Sequence, residues 1–152
     1  MTGAELLLAD EAATGRLGAA IARALRPGEA VCLSGPLGAG KSVLARALVR
    51  ALTRPDEEVP SPTFTLVQFY EGEGLAVAHF DLYRLTSADE AWEIGLDEAL
   101  DDGAAVIEWP ERLQGRLPPD RLDIEISVEG DARRARLSPV GAWEGRKLEF
   151  RP

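Results

Sequence analysis

Residues 35–42 read GPLGAGKS and fit G-x-x-x-x-G-K-[ST], a pattern that cradles phosphate. Backbone N–H groups of residues 37–42 would wrap the phosphates at the start of a helix, where the helix dipole favours negative charge. Gly35 opens the loop, and Gly38 and Gly40 let it turn tightly. Lys41 is expected to reach the terminal phosphates as a point charge, and Ser42 to offer its hydroxyl to Mg²⁺. In this reading Lys41 is an exposed loop cation with no packing role. The alternative is a chance glycine-rich turn, and it is weakened by an apolar run before the loop and an amphipathic one after it.

Magnesium also needs a carboxylate, generally at the end of a strand beside the loop. Two residues qualify: Asp81, closing VAHFD, and Glu108, closing AAVIE. A carboxylate that follows a buried run is expensive unless a cation or donors meet it. Either acid could instead cap its strand and face water. Thr63, in VPSPTFT, is either a hydroxyl on a loop that closes over the phosphates or an ordinary strand-starting threonine. His79, the single histidine, reads as a packed residue, because one histidine makes no metal site. Trp109, beside Glu108, either fills core or walls off the site.

The elements that must position these residues follow from periodicity. Asp10 can cap a helix over 11–25, in which Leu17, Ala20, Ile21, Ala24 and Leu25 share one face. AVCLS at 30–34 reads as a buried strand, with Cys32 simply packed in it. A helix then runs from the loop to about Leu52. A proline-punctuated loop at 53–62 leads into a β-hairpin, TFTLVQFY and LAVAHFDLY joined by EGEG. Ser87 and Glu90 fit a capping box opening a short helix that ends near Gly95, and LDEALDDG forms a second. AAVIEW is another buried strand, and RLDIEISV and RRARLSP around EGD form a second hairpin. The expected fold is α/β: one P-loop NTPase-like domain over 1–152, with a mixed central sheet, antiparallel hairpins and flanking helices. The tail from about 141 carries no clear signal.

Composition narrows the function. The chain has 152 residues, which suits one domain, and a formal net charge of −9 from 17 basic and 26 acidic residues. A protein that grips nucleic acid by itself usually presents a basic face. The densest basic cluster here is DARRAR at 131–136, so DNA is not an expected partner and direct tight binding to RNA is disfavoured. Arginine outnumbers lysine 15 to 2, yet lysine is kept at position 41, where a slim ammonium suits phosphate. No asparagine is present, which removes the Asn-Lys-x-Asp guanine-reading motif. No run reaches membrane-span length, the start lacks the basic region of a secretion signal, and a single cysteine suits a reducing compartment. A cytoplasmic location is expected, with no membrane partner.

GPLGAGKS, SPTFTLV, HFDLYRL and IEWPE, in this order and at these intervals, resemble the TsaE family of bacterial P-loop ATPases. The resemblance runs from about Leu8 to Leu137 and includes DEAAT and LPPDRLDIEI. It implies that Gly38, Ala39, Gly40, Lys41, Ser42 and Val43 hold the phosphates of ATP. It also implies that Ser42 and Glu108 hold Mg²⁺, and that Asp81 stands behind the metal or acts in catalysis. Asp10 to Thr14 and ARRAR are the corresponding candidates for the adenine side. Ser42 replaces the threonine of many members, and Pro36 an acidic residue. The implied role is in forming threonylcarbamoyladenosine in tRNA with two partner proteins, TsaD and TsaB, with tRNA reached only through that complex. Two readings compete with an ATPase that drives or resets such a complex. One is a small-molecule P-loop kinase. The other is a nucleotide-responsive binding module. The hairpins weigh against a kinase, whose parallel strands would be joined by crossover helices.

Overall fold

The computed structural model describes residues 3–150; Met1, Thr2, Arg151 and Pro152, the ends of the expected domain, lie outside the described residues. Two fully buried or nearly fully buried apolar strands occupy the middle of the fold: β2 (Ala30–Ser34) and β5 (Gly103–Glu108). They pair in parallel, as strands covered on both faces do. β6 (Arg121–Glu129) lies parallel on the other side of β2, and β4 (Ala76–Asp81) parallel on the other side of β5. Each outer neighbour returns through a hairpin. β3 (Val67–Glu71) runs antiparallel to β4, and β7 (Ala132–Val140) antiparallel to β6. A strand without a sequence-based expectation, β1 (Ala4–Leu8), adds antiparallel to β7 and completes a seven-stranded sheet, β1-β7-β6-β2-β5-β4-β3.

Helices α1 (Glu11–Ala24) and α2 (Lys41–Leu52) cover one face of the sheet. Asp10 caps α1 as expected, its carboxylate accepting from the Ala13 N–H at 2.8 Å. The two helices cross closely because Gly18 has no side chain: a Cβ there would lie 2.7 Å from the Leu44 carbonyl oxygen. Leu17, Ile21, Leu44 and Leu48 pack in that layer on Val31, Leu33, Val106 and Ile124. On the opposite face α3 (Ala88–Glu93), α4 (Leu96–Asp102) and a 3-10 turn (Pro110–Leu113) cover β2, β5 and β4, with Cys32, Phe80 and Ile107 beneath them. Cys32 is packed there, as expected.

Two expectations about the elements need correction, and the tail, which carried no clear signal, gains a place. The first hairpin is shorter than its apolar pattern, because residues 63–65 form a turn and Leu66 takes a left-handed conformation (φ 68°) before β3 begins. The capping box does not form: the Ser87 side chain makes no cap bond, and Glu90 instead accepts from the Thr86 hydroxyl. The tail belongs to the domain. Trp143 is fully buried, and Arg146 forms an ion pair with buried Glu29 at 2.6 Å. No helix among the described residues is long and apolar enough to cross a membrane.

Candidate functional site

The C-terminal ends of the parallel strands β2, β4 and β5 meet on one edge, and the chain places its polar groups there. β2 runs directly into the glycine loop. Gly35 leaves it at φ 139°, and a Cβ there would sit 2.3 Å from the Ile126 carbonyl oxygen of β6, so the first loop position excludes every other residue. Gly40 stands at the N-cap of α2 with φ 109° and turns the chain into the helix. Lys41 and Ser42 are then the first helical residues, and Val43 the third.

Asp81 and Glu108 lie side by side because β4 and β5 pair in parallel with these two residues in register. Both are buried, against the alternative in which strand-end acids face water. Each carries specific donors. One Glu108 oxygen accepts from the Ser42 hydroxyl at 3.3 Å, and the other lies 2.6 Å from His79 Nε2. Asp81 accepts from the Thr63 hydroxyl at 3.2 Å and from the Tyr83 N–H at 3.1 Å. Thr63 is therefore a loop hydroxyl and not a strand-starting residue. A second hydroxyl, Ser61, stands 2.8 Å from it.

Lys41 departs from its expected exposure. Its side chain is buried, its ammonium donates to the Gly35 carbonyl, and Nζ lies 3.4 Å from the centroid of the Trp109 ring. Burial pushes its pKa below the ordinary lysine value, against the opposing attraction of Glu108, Glu111 and Asp81. Trp109 holds this position in a left-handed conformation (φ 61°), its N–H bonded to the Leu33 carbonyl at 3.2 Å and its ring stacked at a tilt on Tyr83. The tryptophan thus walls the site and supports the lysine.

These groups line a cavity of about 370 Å³. Gly38, Gly40, Lys41, Ser42, Val43, Ser61, Thr63, Asp81, Glu108 and Trp109 are on its wall, joined by Asp10, Glu11 and Thr14 from the start of α1 and by Asp131 and Arg133. The two stretches considered for the adenine side therefore do reach the cavity, though not whole. Within ARRAR only Arg133 does so, donating to the carbonyls of Ala39 and Gly38 at 3.1 and 3.3 Å. Arg134 and Arg136 point to the other face of β7, where they pair with Glu129 and Glu5. One contributor, His79, was not legible as a site residue, and Arg133 was legible only as part of ARRAR. His79 read as packing, and it is packed, but it also holds Glu108. Arg133 reaches the loop from β7, 94 residues away from Ala39.

A hydroxyl and carboxylates, all oxygen donors, are the donor chemistry that suits Mg²⁺. No cluster of three or more His, Cys, Asp or Glu side chains fit to hold a metal occurs among the described residues.

A family model described as threonylcarbamoyl adenosine biosynthesis protein TsaE matches residues 8–136. Among similar proteins is one of Rickettsia felis named tRNA threonylcarbamoyladenosine biosynthesis protein TsaE, 35% identical over 95% of this chain and 85% of its own. Proteins of the same name from Aquifex aeolicus (40% identical, 86% of this chain and 91% of its own) and Treponema pallidum (39%, 80% and 89%) also match. Among solved structures, the crystal structure of Bacillus subtilis YdiB superposes with a TM-score of 0.76 at 26% identity, over 92% of this chain and 87% of its own.

Proposed function

The chain belongs to the TsaE family of tRNA threonylcarbamoyladenosine biosynthesis, and on that premise we propose that it binds and hydrolyses ATP to drive or reset the modifying complex. The observation that carries this reading is the Ser42–Glu108 contact at 3.3 Å, at the mouth of a glycine loop whose lysine lies beside it. In this assignment the N–H groups around Gly38, Ala39, Gly40, Lys41, Ser42 and Val43 are donors for phosphate oxygens. Ser42 and Glu108 would hold Mg²⁺, which when bound neutralises phosphate charge. Lys41 exchanges the Gly35 carbonyl and the Trp109 ring for phosphate. Asp81, buried and turned by Thr63 and Tyr83, keeps its carboxylate beside Glu108, where it can accept a proton from water or orient it. Trp109 and the 61–63 hydroxyl loop limit access of bulk water.

TsaD and TsaB are the proposed partners, and the proposed location is cytoplasmic. tRNA is reached through the complex, since a chain of net charge −9 lacks the phosphate-neutralising surface that direct binding requires. The test combines the chain with purified TsaD and TsaB and follows ATP hydrolysis and multiple-turnover tRNA modification together. The expected result is hydrolysis stimulated by the partners and repeated modification that stops when Lys41 is replaced. Modification that continues without ATP turnover would leave a nucleotide-responsive binding module. An alcohol acceptor phosphorylated faster than water would make the protein a kinase.

A further inference from the structure

His79 stands on β4 two residues before Asp81, so both side chains leave the same strand face, the one that carries Val77 toward the α2 layer. Its Nε2 is 2.6 Å from Glu108 Oε2, and the two side chains are only 2% and 3% exposed. A carboxylate accepts hydrogen bonds, so the imidazole donates through Nε2. The other ring nitrogen, Nδ1, is buried with no hydrogen-bond partner. That arrangement is a poor solution to a packing problem. A buried polar atom left unpaired costs about 1–3 kcal/mol, which an apolar side chain of similar size would avoid. What the imidazole alone supplies here is a donor to Glu108.

The consequence lies in the orientation of the carboxylate. The terminal torsion of a glutamate is broad and nearly two-fold, so packing alone does not decide which way the carboxylate plane turns. In this structure Oε2 is tied to His79, and Oε1 faces the Ser42 hydroxyl at 3.3 Å. We infer that His79 is a positioning residue for the metal site, fixing Glu108 by one oxygen so that the other stays turned toward Ser42. This rests on the assignment of Ser42 and Glu108 as the residues that would hold Mg²⁺. The partners that hydrogen-bond to a metal ligand commonly set its affinity by about 10–100-fold.

The experiment compares wild type with His79→Leu and His79→Gln, the latter keeping an N–H close to the Nε2 position. Mn²⁺ affinity in the presence of ADP is measured by electron paramagnetic resonance, and ADP affinity in EDTA by calorimetry. The expected result is a loss of Mn²⁺ affinity of about 10-fold or more in His79→Leu, largely restored in His79→Gln, with metal-free ADP binding unchanged in both. Wild-type Mn²⁺ affinity in His79→Leu, or a His79→Gln variant no better than it, would overturn the inference while leaving the nucleotide site standing. A wild type that binds no ADP with or without metal would overturn the functional reading, and this inference with it. Should neither variant fold, the native protein decides, because His79 is the single histidine and its ¹⁵N-labelled ring gives one unambiguous signal set. A proton on Nε2 and broadening by Mn²⁺ with ADP are expected; a proton on Nδ1, or no broadening, would refute the positioning role.

Discussion

Replacing Lys41 by methionine separates binding from folding, and the structure says by how much. The ammonium makes a charge-assisted hydrogen bond to Gly35, of about 1.5–3 kcal/mol, and lies over Trp109 in a contact of about 0.5–2 kcal/mol. Against these stands desolvation, strong enough to push the lysine pKa down despite Glu108, Glu111 and Asp81. Methionine keeps an unbranched chain against the indole and removes the buried charge, whereas alanine would leave the ring unsupported. Desolvation offsets part of these contributions, so stability should fall by less than their sum, within about 2 kcal/mol or roughly 8 °C in Tm for a domain of this size. In binding, Lys41 gives up the Gly35 carbonyl and the Trp109 ring for phosphate, so only the surplus of the charge-assisted phosphate contact is lost. That surplus is up to about 1.5–3 kcal/mol, and affinity for a non-hydrolysable ATP analogue with Mg²⁺ should weaken by up to about 10- to 150-fold. Calorimetry on a variant with a measured Tm reads both numbers. An affinity within two-fold of wild type would refute the phosphate role, and a Tm fall beyond about 8 °C would show that Lys41 is chiefly structural.

Two further outcomes rest on buried groups away from the cavity. Arg146→Ala should cost about 3–5 kcal/mol in urea unfolding, because it strands Glu29 uncompensated, while Glu29→Gln combined with Arg146→Met should recover much of the loss; an effect below about 1 kcal/mol would mean that the tail is not docked through this pair. The Cys32 thiol is pushed up from 9.0 to about 12, chiefly by burial and then by Asp123, so the folded chain holds its proton where the unfolded chain releases it. The folded state then binds more protons than the unfolded one, so this contribution is full below about 9 and is lost as pH rises toward about 12, with a slope of up to about 1.4 kcal/mol per pH unit. Cys32→Ala should lack that slope in urea titrations across pH 9–11, and an identical slope in both proteins would contradict the burial argument.

The parts legible in the sequence were those encoded locally. The glycine loop, the apolar strand before it and the amphipathic helix after it all lie within residues 30–52, and they form as expected. Asp81 and Glu108 stood out because each ends an apolar run, and burial confirmed that pattern. What escaped notice depends on which strands become neighbours. β4 and β5 pair in parallel, and only that pairing brings His79 to Glu108 across 29 positions. β1 gives little sequence signal because an edge strand needs only alternating burial, and Leu7, exposed between half-buried Leu6 and buried Leu8, blurs that alternation into a plain LLL run. The burial of Lys41 was illegible for a similar reason. It requires Trp109 to turn left-handed after β5, and a tryptophan gives no local sign of positive φ.

The charges on the cavity wall bear on the metal that we propose for the site. Five carboxylates, Asp10, Glu11, Asp81, Glu108 and Asp131, face two cations, Lys41 and Arg133. Asp10, Glu11 and Asp131 are exposed, so water and salt screen them. Asp81 and Glu108 are buried at the floor, where Lys41 is the nearby lysine and burial disfavours its charge too. Arg133 adds one positive charge, but the Gly38 and Ala39 carbonyls hold it at the loop and not at the two carboxylates. A polyphosphate entering alone would bring its own negative charge against two buried carboxylates in a medium that screens poorly. A dication between them reverses the sign of both interactions at once. On the proposed assignment, the carboxylates that oppose naked phosphate are the same ones that would make a phosphate–metal pair favourable, so nucleotide should bind more tightly with the metal than without it.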